Sequence, residues 1–266
     1  MKLTIVGSGS KGNCYVLHND REALMIEAGV RFADMLGVLG AETVTLIKGC
    51  IVSHEHGDHA KFVHSVLDHG IPTYATSVTM GTFKKPFKVL KPTHFRLDFE
   101  TQDEDSVPWL AERIGGFTVL PFRTVHDAAS PCGFYIYHIE IGCLLFATDT
   151  RFIPNTFKNL TNIMIECNYD EEMLKAREDI TESVKDRIRR SHQSVTSCVR
   201  ALKANDLSKT NFIVLIHISE GDGDPEAFVE KVSKAVMIPT VAARKGDSYE
   251  ISQFPVWERD QELITF

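Results

Sequence analysis

The sequence predicts a layered α/β (α+β) fold. Nine short apolar runs of strand length punctuate the chain, segments of helical period lie between them, and a histidine-rich loop joins one run to one helix.

The runs are Leu3–Val6, Cys14–Leu17, Ala23–Ile26, Cys50–Ser53, Phe117–Leu120, Phe134–His138, Cys143–Ala147, Asn162–Ile165 and Phe212–Ile216. Turn residues or helical patterns separate them, which is the signature of strands. The clearest helix follows His59. There Phe62, Val63, Val66 and Leu67 share one face of a 3.6-residue period, and Gly70 before Ile71-Pro72 stops it. A second helix is predicted over Ser194–Ala204 and a third from Asp224 to Val236. Thr82–Arg96, with four lysines and two prolines, and the acidic Thr101–Asp105 fit neither pattern.

The chain has 266 residues, 43% hydrophobic and 24% charged, which excludes a disordered tail, a collagen and a coiled coil. No repeat, low-complexity tract or linker divides it, so residues 1–266 read as one domain with ample length for a core. Acidic residues outnumber basic ones 36 to 29, for a net charge of -7. That argues against a protein that coats nucleic acid non-specifically. It leaves room for a nuclease whose metals and local basic residues handle the phosphates. The six cysteines form no CxxC pair and lie mostly in apolar stretches, as buried reduced thiols do. The opening MKLTIVGSGSKG has no signal-peptide core and reads as a first strand. No apolar run approaches the ~20 residues of a membrane span. Together these features predict a cytoplasmic protein.

The chemistry lies in Ser53-His54-Glu55-His56-Gly57-Asp58-His59, between a strand and a helix. In an extended stretch His54 and His56 point the same way, and Asp58 and His59 open the helix beside them. Three imidazoles and a carboxylate can converge on one or two ions such as Zn, Mn, Fe or Ni. Further ligands should come from other strand ends. His126 follows the strand that runs from Gly116 to Thr124, Asp149 follows Cys143–Ala147, and His217 follows Phe212–Ile216. His18, His64, His69, His94 and His138 match no ligand position and read as surface or packing residues.

HxHxDH, then His126, Asp149 and His217, resembles the metallo-β-lactamase superfamily. The resemblance is nearest to its YycJ/WalJ-like branch, through Ser8-Gly9-Ser10-Lys11-Gly12-Asn13, His126–Ala129, Thr148–Thr150, Glu166–Asn168, His192–Ser194 and His217–Ser219. It implies a four-layer αββα sandwich and a metal-dependent hydrolase with two divalent ions, Zn or Mn, with Fe and Ni also compatible. His54, His56 and His126 would hold one ion, Asp58, His59 and His217 the other, and Asp149 would bridge them. It further implies a 5′-to-3′ exonuclease that attacks DNA with a hydroxide shared by the metals. Two positions depart from the branch: Glu27 stands where relatives usually carry Asp, and Tyr169 where they usually carry His.

Within that scheme Asp58 is the candidate to orient the nucleophile or accept its proton. His192, beside Arg189 and Arg190, is the candidate proton donor to the leaving oxygen. Lys185, Arg187, Arg200 and Lys203 lie near it in sequence and are candidate phosphate contacts. The Gly-containing Ser8–Asn13 turn is a hairpin, an anion-binding nest, or both. Ser8, Ser10, Asn13, Ser194 and Ser219 are the candidate substrate contacts. The same metal site also serves hydrolases of small esters, thioesters, lactones or cyclic phosphodiesters, since one fold hosts many chemistries. The acidic net charge favours that alternative. A metal-free scaffold is the third reading, and the full set of seven ligand types argues against it.

Overall fold

The structure is a computed structural model and describes residues 1–83 and 111–254. Most of Thr82–Arg96, all of Thr101–Asp105, and His94 lie outside the described residues. The first half contains β1 (Lys2–Gly7), β2 (Cys14–His18), β3 (Ala23–Ile26), α1 (Phe32–Thr45), β4 (Ile47–Ile51), α2 (Gly57–Ala60), α3 (Val63–Asp68), β5 (Thr73–Tyr74) and α4 (Ser77–Thr82). Next come β6 (Glu112–Ile114), β7 (Phe117–Arg123), β8 (Cys132–His138), β9 (Gly142–Ala147), β10 (Leu160–Glu166), α5 (Glu171–Ala176) and α6 (Glu182–Ser191). The chain continues through α7 (Val195–Lys203), β11 (Phe212–Ile216), α8 (Pro225–Val236), β12 (Thr240–Ala242) and β13 (Ser248–Glu250).

The strands form two mixed sheets. One runs β13-β1-β2-β3-β4-β5 and the other β12-β11-β10-β9-β8-β7-β6. Because most strands are apolar on both faces, period-two alternation sends side chains to two different cores. In β2, Tyr15 and Leu17 join the cluster between the sheets, with Phe117, Phe134, Phe146 and Ile216. Cys14 and Val16 of the same strand pack outward with Met35 of α1 and Val63 and Val66 of α3. On the far side Ile163, Ile165 and Leu215 pack on Val195, Cys198 and Leu202 of α7 and Phe228 and Val232 of α8. Helix, sheet, sheet and helix therefore stack as the predicted αββα sandwich.

All nine predicted runs fall on strands, although Cys50–Ser53 is displaced. β4 begins at Ile47 and ends at Ile51, because Lys48 and Gly49 interrupt the apolar pattern at its start. The four strands the sequence does not announce, β5, β6, β12 and β13, are all sheet edges of two or three residues. An edge that short buries too little to leave a pattern. The helix predicted after His59 is two helices. Phe62 N–H donates to Ala28 O at 2.9 Å rather than up its own helix, which ends α2 before α3 begins. α7 starts at Ser194, whose side chain caps Ser197 N–H, and α8 starts with Asp224 as cap and Pro225 in its first turn. The sequence does not announce α1, α4, α5 or α6: α4 and α5 are six residues long, α1 buries only Met35, and the residues that α6 buries are Lys185 and Ser191. No helix among the described residues is long and apolar enough to cross a membrane. All six cysteines are free and all but Cys143 are buried.

The topology gathers the strand ends. β3 pairs parallel to β4, and β9, β10 and β11 run parallel to one another. Loops leaving the carboxyl ends of those strands therefore meet along one rim of the sandwich, where open α/β sheets bind ligands.

Candidate metal centre

Backbone hydrogen bonds first fix the loop. Asn13 N–H donates to Asp58 O at 2.7 Å, Ala28 N–H to His59 O at 2.7 Å and Gly29 N–H to Asn13 O at 3.0 Å. Three segments far apart in sequence are thereby tied together around residues 58 and 59. Three non-glycine residues at the rim have positive φ: Glu27 at 68°, Asp149 at 43° and His217 at 53°. Each follows a parallel strand, and each costs about 1–2 kcal/mol relative to ordinary backbone. Strain of this kind persists where tertiary contacts over-determine it, as at a functional rim.

The structure brings all seven candidate ligands together. His54, His56 and His126 form one group and Asp58, His59, Asp149 and His217 another, each with ligand atoms within 4.8 Å of one another. Asp149 lies between them. Its Oδ2 is 3.8 Å from His54 Nε2 and 3.5 Å from His126 Nε2, and its Oδ1 is 3.3 Å from His59 Nε2 and 3.2 Å from His217 Nδ1. Asp58 Oδ2 is 3.2 Å from His217 Nε2 and 3.3 Å from His59 Nε2.

These side chains fit divalent cations. His126 Nδ1–H donates to Ser191 O at 2.9 Å, which fixes the tautomer and leaves Nε2 with a lone pair. That Nε2 lies 3.1 Å from His56 Nδ1, so two imidazole nitrogens converge on one point. His54 Nε2 and His59 Nδ1 are buried without a hydrogen-bond partner. Buried orphan nitrogens of this kind are costly unless something binds them.

Charge is distributed to match. Burial pushes His54 well below the usual histidine range, and neighbouring His59 adds to the effect, so it is neutral. Burial also pulls His126 down, more than nearby Asp149 lifts it. For His59 and His217 burial acts in the same direction, but carboxylates win. Asp149 and Glu27 hold His59 well above its usual range, and Asp149, Asp58 and Glu166 push His217 up to about 10. Burial raises the Asp58 carboxyl, yet hydrogen bonds from His217 and His59 outweigh it and keep it below the ordinary carboxylate range.

Two buried carboxylates complete the cluster. Glu27, wholly buried, accepts from Ser53 N–H through both oxygens at 3.3 Å, and its Oε2 is 3.6 Å from His59 Nδ1. The departure from Asp thus bears directly on the start of the ligand loop. Glu166 had no role assigned from sequence. It accepts from His192 Nδ1–H at 2.7 Å and from Thr150 N–H at 2.8 Å, with His217 Nδ1 at 3.3 Å. Its signal was a lone carboxylate at the end of the apolar run Ile163–Ile165 in the wholly buried strand β10. Asp149, Glu166, His192 and His217 form a third group of converging ligand atoms. His192 itself caps the carboxyl end of α6. Its ring lies 5.4 Å from that of His126 and 5.5 Å from that of His217.

The candidate substrate contacts fare differently. Ser8 Oγ accepts from His217 N–H at 3.0 Å and pairs with Tyr15 OH, and so holds a ligand backbone. Asn13 is buried. Its Oδ1 accepts from Gly9 N–H and its Nδ2 lies 3.1 Å from His59 Nε2 and 3.3 Å from Asp58 Oδ2. With Gly9, Gly12 and Asn13 amides all bonded inside the protein, the Ser8–Asn13 turn acts as a brace for the loop. Ser194 caps α7 and Ser219 Oγ donates to Asp222 Oδ2 at 3.0 Å, while Ser10 is exposed in the turn. Tyr169 is buried and pairs its backbone with Ser194 and Val195. Among the basic residues, Arg189 is tied to Glu171 at 2.9 Å and Asp186 at 3.0 Å, and Lys185 is buried against Glu182. Of the histidines set aside, His69 stacks on Phe32, His18 meets Thr4 and His138 meets Glu22.

Comparison with known proteins bears on this arrangement. The sequence profile described as Metallo-beta-lactamase superfamily matches residues 7–217. The chain is 25% identical over 260 residues to "Exodeoxyribonuclease YycJ" of Bacillus anthracis, covering 94% of each chain. It is 22% identical over 185 residues to "Exodeoxyribonuclease WalJ" of Streptococcus pneumoniae serotype 2, covering 66% of this chain and 65% of that one. Among solved structures, the metallo-beta-lactamase fold protein YhfI of Bacillus subtilis superposes with a TM-score of 0.67 at 16% identity. That match covers 94% of this chain and 99% of the other, and bears on the fold alone.

Proposed function

The chain belongs to the metallo-beta-lactamase superfamily and is a metal-dependent hydrolase, and on that premise we propose that it is a dinuclear phosphodiesterase degrading DNA from a 5′ end. The observation that carries the reading is Asp149, buried between two ligand groups with one carboxylate oxygen toward each. One carboxylate so placed suits a pair of ions better than a single ion. DNA as substrate is supported by the exodeoxyribonuclease name of the Bacillus anthracis relative, and the 5′-to-3′ direction by the sequence resemblance. Six unpaired cysteines, five of them buried, fit action in a reducing compartment such as the cytoplasm.

Under this reading His54, His56 and His126 hold one ion, Asp58, His59 and His217 the second, and Asp149 is shared. Ions held there supply Lewis acidity to phosphoryl oxygens and lower the pKa of water toward neutrality. Asp58, kept ionised by its histidine neighbours, orients the attacking water and accepts its proton. His192 returns a proton to the departing sugar oxygen. Burial lowers its pKa, but the Glu166 carboxylate 2.7 Å away more than offsets this and favours the imidazolium. Glu166 also fixes Nδ1 as the bonded nitrogen, which leaves Nε2 to face the leaving group.

The test is cleavage of linear duplex DNA labelled at the 5′ or the 3′ end, with Mn²⁺ or Zn²⁺ and with Asp58→Ala as control. Early release of the 5′ label as short product, absent from the control, is the expected result. No cleavage by protein shown to hold two ions per chain would transfer the reading to a small-molecule hydrolase.

A further inference from the structure

A cavity of about 370 Å³ opens beside the ligand cluster, lined by Val125, His126, Asp127, Arg187, Arg190 and Ser191. One of its walls is therefore a candidate metal ligand. Another, Ser191, carries the carbonyl that accepts from His126 Nδ1 at 2.9 Å. Arg187 and Arg190 stand three residues apart on α6 and so share a helix face.

These two arginines differ from their neighbours. Arg189 is held by two carboxylates within 3.0 Å. Arg187 has Asp127 only at 4.0 Å, the outer limit of an ion pair, and its side chain is 74% exposed. Arg190 uses Nε to donate to Asp186 O at 3.1 Å, and no carboxylate among the described residues pairs with it. Its terminal nitrogens remain available to a ligand. The cavity thus carries two guanidinium groups against the single carboxylate of Asp127. Two forked, permanently charged donors at the edge of a hydrolytic centre match a phosphate group better than a neutral or cationic one.

We propose that the cavity walled by Arg187 and Arg190 is a phosphate subsite, which takes a DNA phosphate next to the one cleaved. The assignment rests on the phosphodiesterase reading above. The phosphate is either an internal one of the strand or the terminal 5′-phosphate. Both present the same chemistry to the arginines.

The experiment is fluorescence-anisotropy binding of a phosphorothioate-linked, single-stranded oligonucleotide to the metal-loaded protein across a salt series. It compares wild type, Arg187→Gln/Arg190→Gln and, as a charge-matched control, Arg21→Gln/Lys48→Gln, two exposed residues in the β2–β3 turn and near the start of β4, at the opposite end of the strands from the rim. Loss of the one phosphate contact should shallow the plot of log K against log salt by about 0.7, the value per phosphate for single strands. Affinity at low salt should fall at least about tenfold. The control should follow wild type. A 5′-phosphorylated and a 5′-hydroxyl oligonucleotide identify the source. An effect confined to the former places the terminal phosphate in the cavity, and an equal effect on both places an internal one there. Unchanged slope and affinity in the Arg187/Arg190 variant, with wild type binding DNA, overturns the subsite alone. Absence of DNA binding and cleavage by wild type overturns the phosphodiesterase reading and the subsite with it.

Discussion

Gly29 is the position at which the smallest change should do the most damage. A Cβ built there would lie 1.7 Å from Asp58 O, 2.5 Å from Asp58 C and 2.7 Å from Asn13 N. All three are backbone atoms, so no side chain can swing away. To restore even a 3.0 Å separation, the Asp58 carbonyl must retreat by about 1.3 Å in an interior that is close-packed. That movement stretches the 2.7 Å bond from Asn13 N–H and displaces the residue whose Oδ2 stands 3.2 Å from His217. Overpacking costs about 1–3 kcal/mol and a lost backbone hydrogen bond about 1 more. Gly29→Ala is therefore expected to destabilise the protein by about 2–4 kcal/mol. A displacement near 1 Å at a reacting centre lowers turnover by about 10²-fold. The natural control is Gly37→Ala on α1, where nothing lies within 4 Å of the added carbon. That variant should match wild type or gain about 0.5–1 kcal/mol. Urea unfolding followed by circular dichroism, with metal content measured on the same samples, reads both effects. If Gly29→Ala unfolds at the wild-type urea concentration and retains its metal, the claim that the close approach of residues 13, 29 and 58 positions the site is wrong.

Three further outcomes follow from the site and the core. His192→Ala should keep its metals but lose about 10²–10⁴-fold in turnover, the usual weight of a general acid. Unaltered turnover with metal still bound would remove His192 from the chemistry. Metal binding should release protons at pH 7, because His59 is held above its usual range and His217 near 10, and both must lose a proton to become ligands. The sign is that affinity weakens as pH falls below 10. Calorimetry in buffers of different ionisation enthalpy should show at least one proton released per chain, and none would contradict the charge assignment. Finally, burial raises the thiols of Cys14, Cys50, Cys132 and Cys167 far above their usual range. A thiol reagent at pH 8 should label only Cys143 in the folded protein and all six cysteines after denaturation. Rapid labelling of several in native buffer would contradict the packing.

Local patterns in the sequence determined a layered α/β fold and the seven candidate ligands, while the αββα order of the layers came from the family resemblance. Strands apolar on both faces, as in Phe212–Ile216, announce themselves when two cores bury them. Ligand histidines and aspartates stand out where they interrupt such runs at their carboxyl ends. Tertiary structure decided the rest. The edge strands Thr73–Tyr74, Glu112–Ile114, Thr240–Ala242 and Ser248–Glu250 are too short to leave a pattern and form only because a neighbouring strand offers hydrogen bonds. The break between α2 and α3 depends on Ala28 O, which lies 34 residues before the Phe62 N–H it accepts. The pairing of Glu166 with His192, the contact of Glu27 with the ligand loop, and the facing of Arg187 and Arg190 into one cavity with His126 all join distant segments. Spacing along a chain carries no record of such approaches. They exist because parallel strand ends from two sheets converge on a single rim.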